Sequence, residues 1–215
     1  MKNQSIDNQL LFAKNAITNG QNVEAISTVL AAYGYDTDAL NEGMALYEQA
    51  DVLHVNQKKE YGEQYAATDE FQTARAALNK TYMRQLKLSR IALKGDKSAG
   101  EALQLSGERK QAFSGWLQQA RAFYTNVLIL PTALTALAKL NTPEAELTAA
   151  SEELSVVESK YNTQLKEKGE AQAATEARDE ALDSLNEWMG DYIAIARVAL
   201  EDDPQMLEML GVVEA

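Results

Sequence analysis

Two pairs of glutamates are the residues in this sequence that most resemble a chemical site. Glu60 and Glu63 lie three residues apart, and Glu167 and Glu170 repeat that spacing. Side chains three apart on a helix face the same side, so each pair can present two carboxylates together. If both pairs met at the tips of helical hairpins, four carboxylates could bind a divalent cation. The simpler interpretation is a solvated hairpin tip without a metal.

The single histidine limits other catalytic chemistry. His54 follows Glu48 and Asp51 at steps of three. A ferritin-like di-iron site needs Glu-x-x-His twice with two further carboxylates, and this sequence contains no Glu-x-x-His. A nucleophile elbow, a phosphate-binding loop and a dinucleotide-binding glycine motif are also absent. We therefore interpret His54 as a half-buried core residue, and we predict no enzymatic activity and no cofactor.

Charged residues along one helix face form a second candidate site, for protein interaction. With 100° per residue, four basic side chains fall within an arc of about 80°. The equivalent positions of a second sequence copy reverse three of these charges. The faces are either solvated and diverged, or they meet, within the chain or between two chains head to tail. The basic set is Lys80, Arg84, Lys87 and Lys94, and the acidic residues are Glu187, Asp191 and Glu201, with Ala194 at the fourth position.

These positions correspond because the chain repeats itself. Shifted by 107 residues, the sequence aligns without gaps from Ala13/Ala120 to Leu103/Leu210, with roughly a quarter of the positions identical. A fixed long period defines the architecture before any motif does. Residues 1–107 hold 11 Lys/Arg and 13 Asp/Glu, whereas residues 108–215 hold 9 and 19. The copies have kept their pattern while their surfaces have changed.

Composition excludes several classes of partner. The net charge of −12 disfavours binding to nucleic acid or anionic lipid. We find neither a signal peptide nor a membrane-spanning segment, and the chain has no cysteine for disulfides or thiolate metal sites. We expect a soluble, acidic, cytoplasmic protein that binds neither nucleic acid nor membrane.

The composition indicates an all-α fold. The sequence has three prolines and eleven glycines, and helix-forming residues dominate. Apolar residues recur at three- and four-residue steps in both copies, which places one apolar stripe on each helix. We predict an antiparallel helical bundle built from two tandem copies. Each copy would have three long helices and a short capping helix, with boundaries 1–107 and 108–215, and the two copies would pack into one compact body.

The number of long helices depends on two polar segments that contain glycine, 61–69 and 168–176. A helix from 38 to 94 would be about 85 Å long, whereas a turn near Gly62–Thr68 would give helices of similar length that pack side by side. We favour the turn, although the heptad pattern continues through it.

The function expected from these features is that of a non-enzymatic helical scaffold or protein-interaction protein. Its partner would be an unidentified protein, and a homo-oligomer is possible. The alternative is a bundle that binds a small ligand or divalent metal, either in a tyrosine-lined cavity or through the glutamate pairs.

Overall fold

A computed structural model describes residues 4–212 as eight α-helices. No strand occurs within that range, so the predicted all-α class is confirmed. The helices are α1 (Ile6–Asn22), α2 (Glu24–Ala31), α3 (Thr37–Ala92), α4 (Lys97–Ala102), α5 (Phe113–Leu128), α6 (Pro131–Ala138), α7 (Glu144–Ala199) and α8 (Pro204–Met209).

The predicted turn near Gly62–Thr68, and its equivalent at 168–176, is wrong. Helices α3 and α7 run through these segments as 56-residue helices, each about 84 Å long. A single glycine in a helix costs only about 1 kcal/mol relative to alanine. Neither segment contains proline, and strong helix formers flank Gly62 and Gly169. Each copy therefore contains one very long helix instead of two of the expected long helices.

The helix bounds follow the sequence period. Helices α6, α7 and α8 begin and end 107 residues after α2, α3 and α4. The starts of α4 and α8 are capped in the same way. The Asp96 side chain accepts a hydrogen bond from the Ala99 amide at the start of α4, and the Asp203 side chain accepts one from the Met206 amide at the start of α8.

Two compact units divide each long helix between them. Unit 1 combines Met1–Gly62 with Gly169–Ala215, and unit 2 is Glu63–Lys168. Each unit thus draws on both sequence copies. The predicted boundaries 1–107 and 108–215, and the expectation of one compact body, stay predictions.

Unit 1 has its own apolar core. Side chains from α1, α2, α8, the first part of α3 and the last part of α7 form it. Tyr192 is fully buried there, and its hydroxyl donates to the Ala16 carbonyl over 3.2 Å. The ring of Trp188 packs against both Tyr35 and Tyr192. These contacts hold the last part of α7 on α1 and on the segment that precedes α3.

Unit 2 repeats this arrangement with α5, α6 and α4. Its core contains the fully buried Tyr82, Phe123 and Tyr124, whose rings contact one another. In this unit α3 and α7 run antiparallel: Gln164 donates to Thr68, and Lys160 pairs with Glu70 at 2.7 Å. This antiparallel contact joins α3 of one sequence copy to α7 of the other, and it does not confirm the predicted bundle of two tandem copies.

No helix within residues 4–212 contains an apolar stretch of the length and hydropathy that a membrane crossing requires.

Candidate interaction surface

The basic stripe predicted from the sequence lies on the surface of unit 2. It comprises Lys80, Arg84 and Lys87 on α3, and Lys94 two residues beyond the end of that helix, and all four side chains are exposed. Residues 71–95 contain no acidic side chain. This part of α3 is therefore uniformly basic.

The acidic stripe lies on the surface of unit 1. Glu187 and Asp191 on α7, and Glu201 just beyond it, are exposed. Asp183, one turn before Glu187, is exposed as well and extends the stripe. Asp183 was not among the predicted residues, although its four-residue step to Glu187 is visible in the sequence.

Most charges on both stripes lack ion-pair partners. In the part of the chain that the structure describes, Lys80, Lys87, Lys94, Glu187 and Glu201 take part in no ion pair. Arg84 is the exception in its stripe, because it pairs with Glu146 at the start of α7. Exposed single charges of this kind are open to an external partner.

The two units also differ strongly in total charge. Unit 1 contains 6 Lys/Arg and 20 Asp/Glu, a net charge of −14, whereas unit 2 contains 14 and 12, a net charge of +2. The sequence copies, at −2 and −10, show a smaller contrast. The difference grows because the structure assigns the basic part of α3 to unit 2 and the acidic part of α7 to unit 1.

A shallow groove runs beside each stripe. In unit 2 it is lined by Asn79, Lys80, Met83, Lys87 and Leu88, among others. In unit 1 two adjoining grooves share Gly190, where an added Cβ would meet no atom within 4 Å. The first unit 1 groove is lined by two carboxylates together with amide and apolar side chains: Asp179, Asp183, Gln9, Asn186, Ile6 and Leu182. The second is mainly apolar and includes one basic residue; its lining contains Phe12, Met189, Ile193, Val212 and Arg197.

Sequence reasoning missed an exposed apolar residue within each stripe. Ile91 is 66% exposed and Val198 is 55% exposed. They occupy equivalent positions of the repeat, seven residues after Arg84 and Asp191. The steps of four and three that define the charged stripes also pass through these two positions, so the signal was present.

The glutamate pairs, which are the predicted metal ligands, fall on both units. In unit 1, carboxylate oxygens of Glu60 and Glu170 lie within 4.8 Å of each other. Glu63 and Glu167 belong to unit 2. Lys59 donates to Glu60 over 3.3 Å and Lys166 to Glu167 over 3.2 Å, so a lysine already compensates one glutamate of each pair. The hairpin tips expected around these residues are replaced by continuous helix.

His54 lies in the core of unit 1 but still reaches a surface carboxylate. It is 7% exposed, and its Nε2 lies 3.1 Å from Asp7 Oδ1, which Lys58 also contacts at 3.2 Å. The hydrogen bond from His54, followed by that from Lys58, lowers the pKa of Asp7. This cluster attaches α1 to α3, consistent with a structural role for the histidine.

The repeated asparagines have equivalent structural contacts. Asn79 accepts from the Trp116 indole over 2.8 Å in unit 2, and Asn186 donates to Gln9 over 3.2 Å in unit 1. Trp116 and Gln9 are themselves 107 residues apart. Each asparagine therefore fixes the first helix of one copy on the long helix of the other.

The buried tyrosines are part of the packed cores. Burial raises the pKa of both Tyr124 and Tyr192. Tyr124 donates to Gln85 Oε1 over 2.9 Å, and Gln85 in turn donates to Glu146.

Comparison of the chain with known proteins gives no match to any protein family, curated protein or solved structure.

Proposed function

We propose that this protein is a non-enzymatic interaction protein that binds protein partners through the charged faces of α3 and α7. The observation that carries the proposal is the pair of exposed stripes of opposite sign. They occupy equivalent positions of the repeat, and most of their charges form no ion pair within residues 4–212.

A stability role accounts poorly for these charges. Exposed ion pairs contribute about 0–1 kcal/mol, and an unpaired exposed charge contributes less. A net charge of −14 on unit 1 also destabilises the compact state through self-repulsion. Charged surfaces do, however, determine partner choice and accelerate association. Binding is therefore the better explanation for the stripes.

The absence of catalytic activity is part of the same proposal. Its support is that the side chains with catalytic potential have structural contacts: His54 binds Asp7, and the buried tyrosines Tyr124 and Tyr192 donate to Gln85 and Ala16.

The cysteine-free composition supports a cytoplasmic location.

A second candidate function is binding of a divalent cation. It is favoured by the approach of the Glu60 and Glu170 carboxylates in unit 1. Oxygen ligands of this type suit Ca²⁺ or Mg²⁺, although two carboxylates supply few of the six or more ligands these ions take. A rise in the melting temperature on addition of Ca²⁺ that Glu170→Gln abolishes would support this candidate.

Capture experiments with charge-reversed variants test the proposed function. The wild-type protein is compared with Lys80→Glu/Lys87→Glu and with Glu187→Lys/Asp191→Lys in pull-downs from native lysate. We expect at least one stripe variant to lose proteins that the wild type captures. The controls Lys97→Glu/Lys139→Glu and Glu42→Lys/Glu48→Lys change the net charge equally at exposed sites outside the stripes. Equal loss from stripe variants and controls would reject the proposal.

A further inference from the structure

We propose that the partner of each stripe is the other stripe of a second copy of this chain, packed parallel and in register. This inference rests on the proposed function, because it names one partner for the same surfaces. The basic stripe of unit 2 in one chain would contact the acidic stripe of unit 1 in the next.

The spacing of the stripes supports a helix-to-helix contact. Both follow steps of four, three, four and three residues, a spacing typical of coiled-coil seams. The first four positions of each stripe share one face of α3 or α7, and the fifth lies in the turn just beyond the helix. The basic stripe reads Lys80, Arg84, Lys87, Ile91 and Lys94, and the acidic stripe reads Glu187, Asp191, Ala194, Val198 and Glu201.

Charge and hydropathy together select the parallel register. In that register a lysine or arginine of the basic stripe faces a carboxylate of the acidic stripe at three of the five stripe positions. At another position Ile91 faces Val198. Lys87 faces Ala194 in either register. The antiparallel alternative also places Arg84 opposite Val198 and Ile91 opposite Asp191, so that three charged groups would face apolar side chains instead of one. Burying a charge without a partner is costly, so the parallel register is preferred.

The exposed apolar residues give such a contact a centre. Ile91 and Val198 are more than half exposed; Ile91 lies between Lys87 and Lys94, and Val198 lies between Ala194 and Glu201. A small apolar centre with a polar rim is the usual composition of a protein interface. Met83 and Leu88, half-buried in the groove beside the basic stripe, can extend the apolar area.

The available charges fit this pairing. Lys80 and Lys94 have no ion-pair partner in the described chain, and the same holds for Glu187 and Glu201. Arg84 already binds Glu146, so Asp191 would share this guanidinium. The strongest new attractions therefore come from the lysines at the two ends of the basic stripe.

The contact is heterologous, because the two surfaces that meet are different. Each chain brings one stripe of each sign, and pairing can close into a ring or extend into an open chain. Either product is larger than the monomer.

Sedimentation velocity of the purified full-length chain tests the inference. We expect concentration-dependent association at an ionic strength of about 0.05 M and weaker association at about 0.5 M, because salt screens exposed charges. Lys80→Glu/Lys87→Glu and Glu187→Lys/Asp191→Lys, each alone, should weaken association by roughly tenfold or more. In the first variant position 80 faces Glu187 with like charge, and in the second positions 187 and 191 face Lys80 and Arg84 with like charge. Mixing the two variants should restore association, because each supplies an intact stripe for the other. The controls Lys97→Glu/Lys139→Glu and Glu42→Lys/Glu48→Lys should associate like the wild type.

A wild-type protein that stays monomeric at low salt would overturn the inference, as would association that the stripe variants leave unchanged. Neither result would by itself reject the proposed function. If the protein is a monomer but its stripes still capture another protein from lysate, the proposed function stands. Only the second copy of the chain is then rejected as the partner.

Discussion

The indole of Trp188 on α7 lies directly against the backbone of Gly43 on α3. A Cβ built at Gly43 would be 2.3 Å from the Trp188 ring, a distance that atoms cannot adopt. The equivalent positions of the repeat hold Ala150 and Thr81, a larger residue in place of glycine and a smaller one in place of tryptophan. Trp188 adjoins Glu187, so this contact fixes the helix that presents the acidic stripe.

Gly43→Ala is expected to destabilise the protein by about 1–3 kcal/mol, because the added methyl group overpacks the contact with Trp188. This loss opposes the gain of up to about 1 kcal/mol in helix propensity that alanine brings. Urea unfolding followed by circular dichroism measures the difference. Gly190→Ala is the matched control, since Gly190 also lies within a long helix but has open space around it. A stability gain for both variants would contradict the close packing of Trp188 on Gly43.

Gly62→Ala and Gly169→Ala should each stabilise the protein by about 0.5–1 kcal/mol. Both glycines lie within continuous helices, and an added Cβ would meet no atom within 4 Å. Thermal and urea unfolding measure the effect. In a turn that requires a positive φ, alanine would instead be destabilising. A loss of stability at both sites would therefore favour the hairpin that the sequence suggested over the continuous helix.

Capping and helix-stopping signals were readable from the sequence. Asp36 is of a residue type favoured at helix N-caps, and it accepts hydrogen bonds from the amides of Asp38 and Ala39 at the start of α3. Gly211 follows the C-cap of α8 with the positive φ expected of a glycine after a helix end. At the equivalent place after α4 the positive φ belongs to Gln104, and Gly107, which the sequence suggested as the stop, lies five residues beyond that helix. Such local effects depend on a few neighbouring residues, and for that reason the all-α class was predictable.

The partners of the helices were not predictable in the same way. Asn19 donates to the Met209 carbonyl in unit 1, and Asn126 donates to the Ala102 carbonyl in unit 2. In each case an asparagine of one copy binds the short helix of the other copy. Because the copies carry nearly the same apolar stripes, the pattern alone cannot distinguish packing within a copy from packing between copies. The charge difference between the units followed from this exchange and was missed for the same reason.

Asp7→Asn should destabilise the protein near neutral pH and lose that effect in acid. The Asp7 carboxylate contacts His54 and Lys58, and these contacts lower its pKa in the folded protein. A lowered pKa gives stability that is present above the unfolded-state pKa and is lost as the pH falls through the folded-state pKa. The difference between wild type and variant should therefore shrink below about pH 4.

Urea unfolding at a series of pH values measures this difference. Asp69→Asn is the control, because Asp69 is an exposed aspartate on α3 without an ion-pair partner in the described structure. A wild-type advantage over Asp7→Asn that stays constant down to the most acidic pH would show that the carboxylate charge does not stabilise α1 on α3.

The most direct test of the charged faces is disulfide formation between two single-cysteine variants. The chain has no cysteine, so Ile91→Cys and Val198→Cys each introduce one thiol. A disulfide requires the two Cα atoms to lie about 4.4–6.8 Å apart. One variant is isotopically labelled, the two are mixed under mild oxidation, and mass spectrometry counts the mixed product. We predict that Ile91→Cys joins Val198→Cys far more often than it joins Val52→Cys, whose parent residue is 64% exposed and lies outside the stripes. Equal yields with the two partners would contradict the parallel contact between the stripes.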